Sequence, residues 1–404
     1  MATYTSASSS ALASLALPLA PSLFALTLYL TGYYQALGKP KTYAGNRRMQ
    51  RLMAKCPSLR ELYWPPPQCW NAHLQFLPFT IRGLVDKHIL CRFKWGLQRV
   101  PLSDGEDVFL DWVLGGPEML ALGGLPPDPT GLDCTPVLML HHGAFCDSQD
   151  LPGQDYIQPA LDRGWFVCGL NRRGHLSPLK AAKWNFFGCP ADTKAATQAI
   201  LKIRPNAVLF CLGLSSGSAI PATVVGMPKE LNDFSGVVGI SPGYDISKCM
   251  KRFMPFYRDL LLSRGKEFFL EQNRDRLQHL PGYQECMKAT DLQEWLDQSY
   301  AMAGYPSTDA YYAAHNPLNY VWHSTIPALF INAENDPLCV LENFTEQRPR
   351  MLGGMSCSTA VVVTKTGSHC PFYEGLGMGN WAERVAFEFL DALLKETEAE
   401  RQVG

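Results

Sequence analysis

From about residue 97 onward, apolar residues alternate between two spacings. Short and nearly unbroken apolar runs recur at residues 108–113, 137–141, 165–170, 207–212, 236–240, 328–332 and 359–364. Runs of that length without polar alternates suit strands buried on both faces. Helical spacing lies between them, as at residues 192–204. Residues 381–395 close the series, with Val385, Ala386, Phe389, Leu390, Leu393 and Leu394 on one face. Strand and helix in turn predict an α/β fold with a mostly parallel central sheet and flanking helices. The alternation lapses once. Residues 247–320 hold FMPFY, DLLL and EFFL clusters in helix-prone, charge-rich sequence, which predicts a helical cap inserted between two strands.

Another pattern precedes residue 97. The first 38 residues carry no charged side chain, and residues 11–34 read ALASLALPLAPSLFALTLYLTGYY. That stretch is long enough to cross a bilayer, and Pro18 and Pro21 are tolerable in a membrane helix. A signal peptide lacks its basic leader here. A plastid transit peptide fits the Ser/Ala-rich, acid-free start but lacks its arginines, and stands as the alternative to a single membrane anchor. Lys39, Lys41, Arg47, Arg48, Arg51 and Lys55 follow the segment and no cation precedes it. The positive-inside rule then puts the following domain in the cytosol. The expected division is an anchor at 1–38, a basic connector and aromatic, proline-rich lead-in (YWPPPQCWNAHLQFLP) at 39–96, a catalytic domain at 97–396 with its cap at about 247–320, and a tail at 397–404. The sequon Asn343-Phe344-Thr345 offers a check on orientation, because a glycan there requires a luminal domain.

Composition removes several classes. A net charge of −1 and the lack of a basic stripe give no footprint for nucleic acid. Thirteen cysteines, scattered from Cys56 to Cys370 without C-x-x-C pairs, suit free thiols in a reducing compartment. His141 and His142 are adjacent rather than on one helix face and no H-E-x-x-H occurs, so no metal or other cofactor is expected. GLGMG at 375–379 has no strand leading into it and is not read as a phosphate loop.

The chemistry is carried by VLFCLGLSSGSAI at residues 208–220. Gly213 and Gly217 bracket Ser215 in a G-x-S-x-G frame, between an apolar strand and a helix. That context holds a nucleophilic serine on a strained turn with its hydroxyl exposed. The next residue, Ser216, offers its backbone N–H to a developing oxyanion. A serine nucleophile needs a base, and the base an acid. The acid and the histidine follow the nucleophile in chain order. Asp336 comes after the strand PALFIN, and His369 after TAVVVTKT, at the strand ends where open α/β sheets build their sites. Asp245 is the runner-up acid and Glu334 a weaker one. The strand and turn VLMLHHGAFCD supply a second oxyanion donor, from either Ala144 or Phe145.

These pieces together resemble an α/β-hydrolase, of the subgroup that includes the plant embryogenesis-associated protein and the membrane-anchored abhydrolase-domain lipases. The likeness runs from about residue 63 to 394, through YWPPPQCWNAHLQ, GEDVFLDW, LHHG, LNRRGH, GLSSG, INAENDP and TKTGSHCPF. It implies the α/β-hydrolase fold, serine-hydrolase activity on acyl esters (often lipids), an N-terminal membrane anchor, and a triad of Ser215, Asp336 and His369. Three positions depart from the subgroup's pattern. Ser218 stands where a second glycine is usual. Pro221 lies in the helix behind the nucleophile and is predicted to kink it. Asn335 occupies a commonly acidic position, leaving Asp336 as the working carboxylate. The reading is a membrane-associated serine hydrolase whose partner is a lipid or other acyl ester. An acyltransferase would use the same residues, and a non-catalytic member of the fold would keep the sheet without turnover.

Overall fold

The computed structural model describes residues 8–150, 153–353 and 357–403, with side chains described between 22 and 400. Nine strands form one sheet: β1 Lys41–Ala44, β2 Trp95–Pro101, β3 Asp107–Val113, β4 Val137–His141, β5 Phe166–Asn171, β6 Leu209–Leu214, β7 Gly236–Ile240, β8 Ala328–Ala333 and β9 Thr359–Thr364. Their spatial order is β1-β9-β8-β7-β6-β4-β5-β3-β2. Strands β4 to β9 run parallel, while β3 joins β5, β2 joins β3 and β1 joins β9 antiparallel.

Helices α1 Ser8–Ala36, α2 Arg47–Ala54 and α3 Ala72–Val85 come before β2. Helices α4 Pro117–Leu122, α5 Ile157–Asp162, α6 Pro190–Ile203 and α7 Ala219–Val224 are distributed between β3 and β7. Five more, α8 Pro255–Arg264, α9 Arg274–Leu277, α10 Tyr283–Lys288, α11 Leu292–Gln298 and α12 Thr308–His315, lie between β7 and β8, where no strand occurs among the described residues. After β8 come α13 Glu342–Thr345 and α14 Arg348–Leu352, and α15 Trp381–Val403 closes the chain.

Every residue of β4, β6, β7, β8 and β9 is buried, which explains their unbroken apolar runs. The pleat divides them between two cores. Phe210, Leu212, Leu329 and Ile331 face the layer of α5 and α15. Leu209, Cys211, Ala328 and Phe330 face the layer of α6 and α7. Each full burial of a leucine or phenylalanine contributes roughly 1.5–3 kcal/mol, so the central strands fix the register of the whole sheet.

Three elements differ from the sequence reading. The strand expected at 207–212 lies at Leu209–Leu214, because pairing with β7 continues through Leu214↔Ile240. The predicted kink at Pro221 takes the form of a change in helix type, from a 3-10 turn over Ser215–Ser218 to α-helix from Ala219. Pro221 therefore stands in the first turn of α7, where a missing N–H is tolerated. The sequon cannot report orientation in the folded state: Asn343 is 3% exposed on α13 and accepts a hydrogen bond from Arg252.

Helix α1 is 29 residues long, but the first half of the 11–34 segment has side chains outside the described residues. Among the described residues, no helix is long and apolar enough to cross a membrane. Its C-terminal end is fastened to the body. Tyr33 donates to the Pro65 carbonyl at 3.1 Å, Tyr29 to that of Pro67, and Thr366 to that of Ala36 at 2.8 Å. All thirteen cysteines are unpaired.

Candidate active site

The strand β6 delivers the chain into a turn where Ser215 has φ +55°. That left-handed backbone is strained for a side chain with a Cβ. The two frame glycines make it possible. A Cβ on Gly213 would lie 2.4 Å from the Gly217 carbonyl oxygen, and one on Gly217 would lie 2.3 Å from that of His142. Either clash would force the turn open. Ser218, in place of the usual glycine, is buried and its hydroxyl donates back to the Ser215 carbonyl. The extra side chain therefore braces the turn.

His369 Nε2 lies 2.6 Å from Ser215 Oγ, and its Nδ1 lies 3.0 and 3.1 Å from the two carboxylate oxygens of Asp336. With the carboxylate accepting from Nδ1–H, the network leaves the Nε2 lone pair facing the serine hydroxyl. Asp336 Oδ1 also accepts from the N–H groups of Leu338 (2.8 Å) and Cys339 (2.9 Å), which hold the carboxylate in place. The loop bearing His369 is tied at both ends. Cys370 N–H donates to Ser241 Oγ at 3.1 Å, and Ser368 Oγ donates to the Ala72 carbonyl at the start of α3 at 2.7 Å.

The other two acids are engaged elsewhere. Asp245 accepts from Ser247 and from Asn316 Nδ2 at 2.8 Å, joining the two ends of the cap. Glu334 pairs with Lys41 at 2.6 Å on the surface. Asp336, Cys339 and His369 form a compact donor group, but the imidazole and carboxylate are committed to each other. Burial, reinforced by Asp336, also pushes the Cys339 thiol well above its ordinary pKa. A protonated thiol is a poor metal ligand, so the set does not suit an ion.

The turn after β4 lies against Ser215: a Cβ on Gly143 would come 3.6 Å from Ser215 Cβ. The N–H groups of Ala144 and Phe145 have no hydrogen-bond partner among the described residues. Ala144 lines one pocket with Ser215 and Ser216. Phe145, at φ +53°, sends its ring away to contact Phe186 at 5.4 Å and Trp295 at 6.1 Å. His141 is buried, which pushes its imidazole down to about 3, and it is neutral.

Sequence reasoning missed the residue that clamps this turn. Arg172 Nη2 donates to the Gly143 carbonyl at 2.6 Å and Nη1 to the Phe186 carbonyl at 3.2 Å. It is buried with no carboxylate partner among the described residues, and burial pushes it down to about 10, which leaves it cationic at neutral pH. Its neighbour Arg173 instead makes a bidentate pair with Asp192, both bonds 2.7 Å. The stretch LNRRGH was the available signal, but nothing in it tells which arginine turns inward.

The pocket over Ser215 is lined by Phe186, Phe187, Ala219, Met250, Phe253 and Leu261, and among the described residues no carboxylate borders it. Its free space is about 30 Å³, room for a water or two and not for an acyl chain.

The parallel sheet, the serine turn after a central strand and the helical insertion after β7 define an α/β-hydrolase, a serine hydrolase by class. A family model described as serine aminopeptidase, S33, matches residues 137–374, more than half of the chain, and the protein belongs to that family. Human protein ABHD15 is 26% identical over 352 residues, covering 83% of this chain and 70% of its own. Zebrafish (Danio rerio) monoacylglycerol lipase ABHD2 is 23% identical, covering 85% and 82%. Bovine (Bos taurus) phospholipase ABHD3 is 21% identical, covering 88% and 85%. Among solved structures, a Pyrococcus furiosus esterase aligns with TM-score 0.45 and 17% identity, over 75% of this chain and 91% of that one.

Proposed function

We propose that the protein hydrolyses acyl esters of lipids at a membrane surface through an acyl-enzyme on Ser215. The observation that carries this reading is the 2.6 Å contact between Ser215 Oγ and His369 Nε2 at the end of an apolar pocket. Ser215 Oγ attacks the acyl carbonyl while its proton passes to Nε2. The oxyanion takes the N–H of Ser216 and that of Ala144 or Phe145. Collapse breaks the ester C–O bond as His369 protonates the departing alcohol. Water then gives its proton to His369 and attacks the acyl-serine, releasing the acid and the free serine. Asp336 orients the imidazole and stabilises its charged form throughout.

An apolar lining without a carboxylate favours an acyl chain over a peptide's N-terminal ammonium. Monoacylglycerol lipase and phospholipase among the relatives agree with a lipid ester. Because the free space is so small, the cap segment carrying Met250, Phe253 and Leu261 must move to admit the chain. Turnover is expected to rise from acetyl to long-chain esters in steady-state assays. A clear acetyl optimum would sink the lipid reading.

The uncharged first 38 residues support membrane attachment, and the six following cations support a cytosolic catalytic domain. In sealed microsomes, added protease should digest the catalytic domain. Full protection would reverse the orientation, and recovery of a shortened, soluble plastid protein would replace the anchor with a transit peptide.

A further inference from the structure

Helix α3 is built inside out. Its buried positions are Ala72 and Gln75, with Asp86 just beyond its end. Gln75 is fully buried and accepts from the Tyr373 N–H at 3.1 Å, while Arg82 leans inward to Asp155 at 3.0 Å. The outward face carries Leu74, Leu77, Ile81 and Leu84, which are 49%, 62%, 52% and 57% exposed. Intervals of three, four and three residues put these on one stripe, about 15 Å long at the helical rise. Exposed Ile89 and Leu90 extend it beyond the helix. A helix in water turns its apolar stripe to the core. Here the inward side is mixed, with Ala72, Gln75 and Arg82, while a continuous apolar stripe faces out.

The surroundings identify what covers that face. The C-terminal turns of α1 are fastened to Pro65 and Pro67, in the segment that runs straight into α3. Helix α1 also exposes Leu23, Phe24, Leu26 and Leu28. On the other side, His73 stacks on Tyr257 of α8 with a 2.8 Å hydrogen bond, and Phe76 lies 5.3 Å from the same ring. Helix α8 exposes Phe256 and Leu260 while Leu261 lines the pocket over Ser215. No acidic residue occurs between Glu61 and Asp86, and exposed Arg92 and Lys94 follow the stripe.

We propose that α3 is an interfacial helix whose outward stripe lies in the headgroup–acyl boundary of the bilayer, setting the cap edge and the mouth of the Ser215 pocket against the lipid. An interfacial helix buries such a face by about 5–10 Å, and nearby cations meet anionic headgroups. The stripe belongs to α3 rather than to α1, and α8, which touches α3 through His73 and Phe76, carries Leu261 to the pocket over Ser215. Since Ser368 and Tyr373, on either side of His369, bond to Ala72 and Gln75, the same helix also braces the histidine loop. The proposal rests on the lipid-ester reading for its substrate and on the α3 stripe with its surroundings for its surface.

The test uses the full chain with phosphatidylcholine–phosphatidylserine vesicles. In the double variant Leu77→Asp/Ile81→Asp, turnover of a long-chain ester presented in vesicles should fall by about tenfold or more. Turnover of a soluble short-chain ester should stay within about twofold. The conservative Leu77→Ile/Ile81→Leu variant should keep both rates. Separately, Leu77→Trp should gain fluorescence that brominated acyl chains quench. An equal fall of both rates, an unchanged ratio, or a tryptophan at 77 that brominated lipid does not quench would overturn the proposal. So would a dimer in the parent that the Asp variant splits, because a second copy would then cover the face. If the parent cleaves neither ester, the hydrolase reading fails, and the quenching still decides the surface.

Discussion

Replacing Ser215 by alanine is expected to abolish covalent labelling by a fluorophosphonate and to lower ester turnover by about 10⁶-fold, the scale for losing a nucleophile that acts as a unit with its base. Ser216→Ala should keep most of both. The Ser216 hydroxyl is buried without a partner among the described residues, and alanine retains the N–H proposed to serve the oxyanion. The adjacent serines make this a sharp test of frame. Of the two serines, only Ser215 lies 2.6 Å from His369 and only Ser215 has a positive φ. Labelling that persists in Ser215→Ala and vanishes in Ser216→Ala would move the nucleophile by one residue.

The second large effect belongs to the acid. Asp336→Asn should lower kcat by about 10⁴-fold with little change in melting temperature. An amide can still accept from the N–H groups of Leu338 and Cys339, so the turn survives. It no longer supports an imidazolium, and it can hold the imidazole in the wrong tautomer. Asp245→Asn should change kcat by less than about tenfold, since Asp245 serves Ser247 and Asn316. Its cost should appear as a lower melting temperature. Steady-state kinetics ranking the two variants the other way would transfer the role to Asp245.

The sequence disclosed the central strands because burial on both faces leaves no room for polar alternates, as in TAVVVT of β9. It concealed the sheet's edges. In β2 the residues Leu97, Gln98 and Arg99 are all at least partly exposed, and β1 has no fully buried residue, so neither carries a periodic signal. Helix α3 escaped for another reason. Its stripe has helical spacing, but Pro78 interrupts it and the lead-in around it is aromatic and irregular. Chain order and strand ends single out Ser215, Asp336 and His369, with Asp245 and Glu334 as weaker acids, whereas the distances that bring the three side chains together depend on packing. The inward turn of Arg172 and the bracing hydroxyl of Ser218 depend on packing that no local pattern encodes.

Phe145 belongs to two structures at once. Its backbone forms the turn beside Ser215, and its ring sits in the aromatic cluster that joins Phe186 to Trp295 of the cap. Each such ring contact is worth about 0.5–1.5 kcal/mol beyond area. A cap displacement that admits an acyl chain would pull on these contacts, and through Cα on the peptide units proposed to offer donors to the oxyanion. Admission and readiness are thereby mechanically linked. The packed rings hold that turn, so an acyl chain that enters must preserve or replace their contacts if the donors are to stay in place. Selectivity in such a design resides as much in how an acyl chain rebuilds the aromatic cluster as in any group that touches the scissile bond.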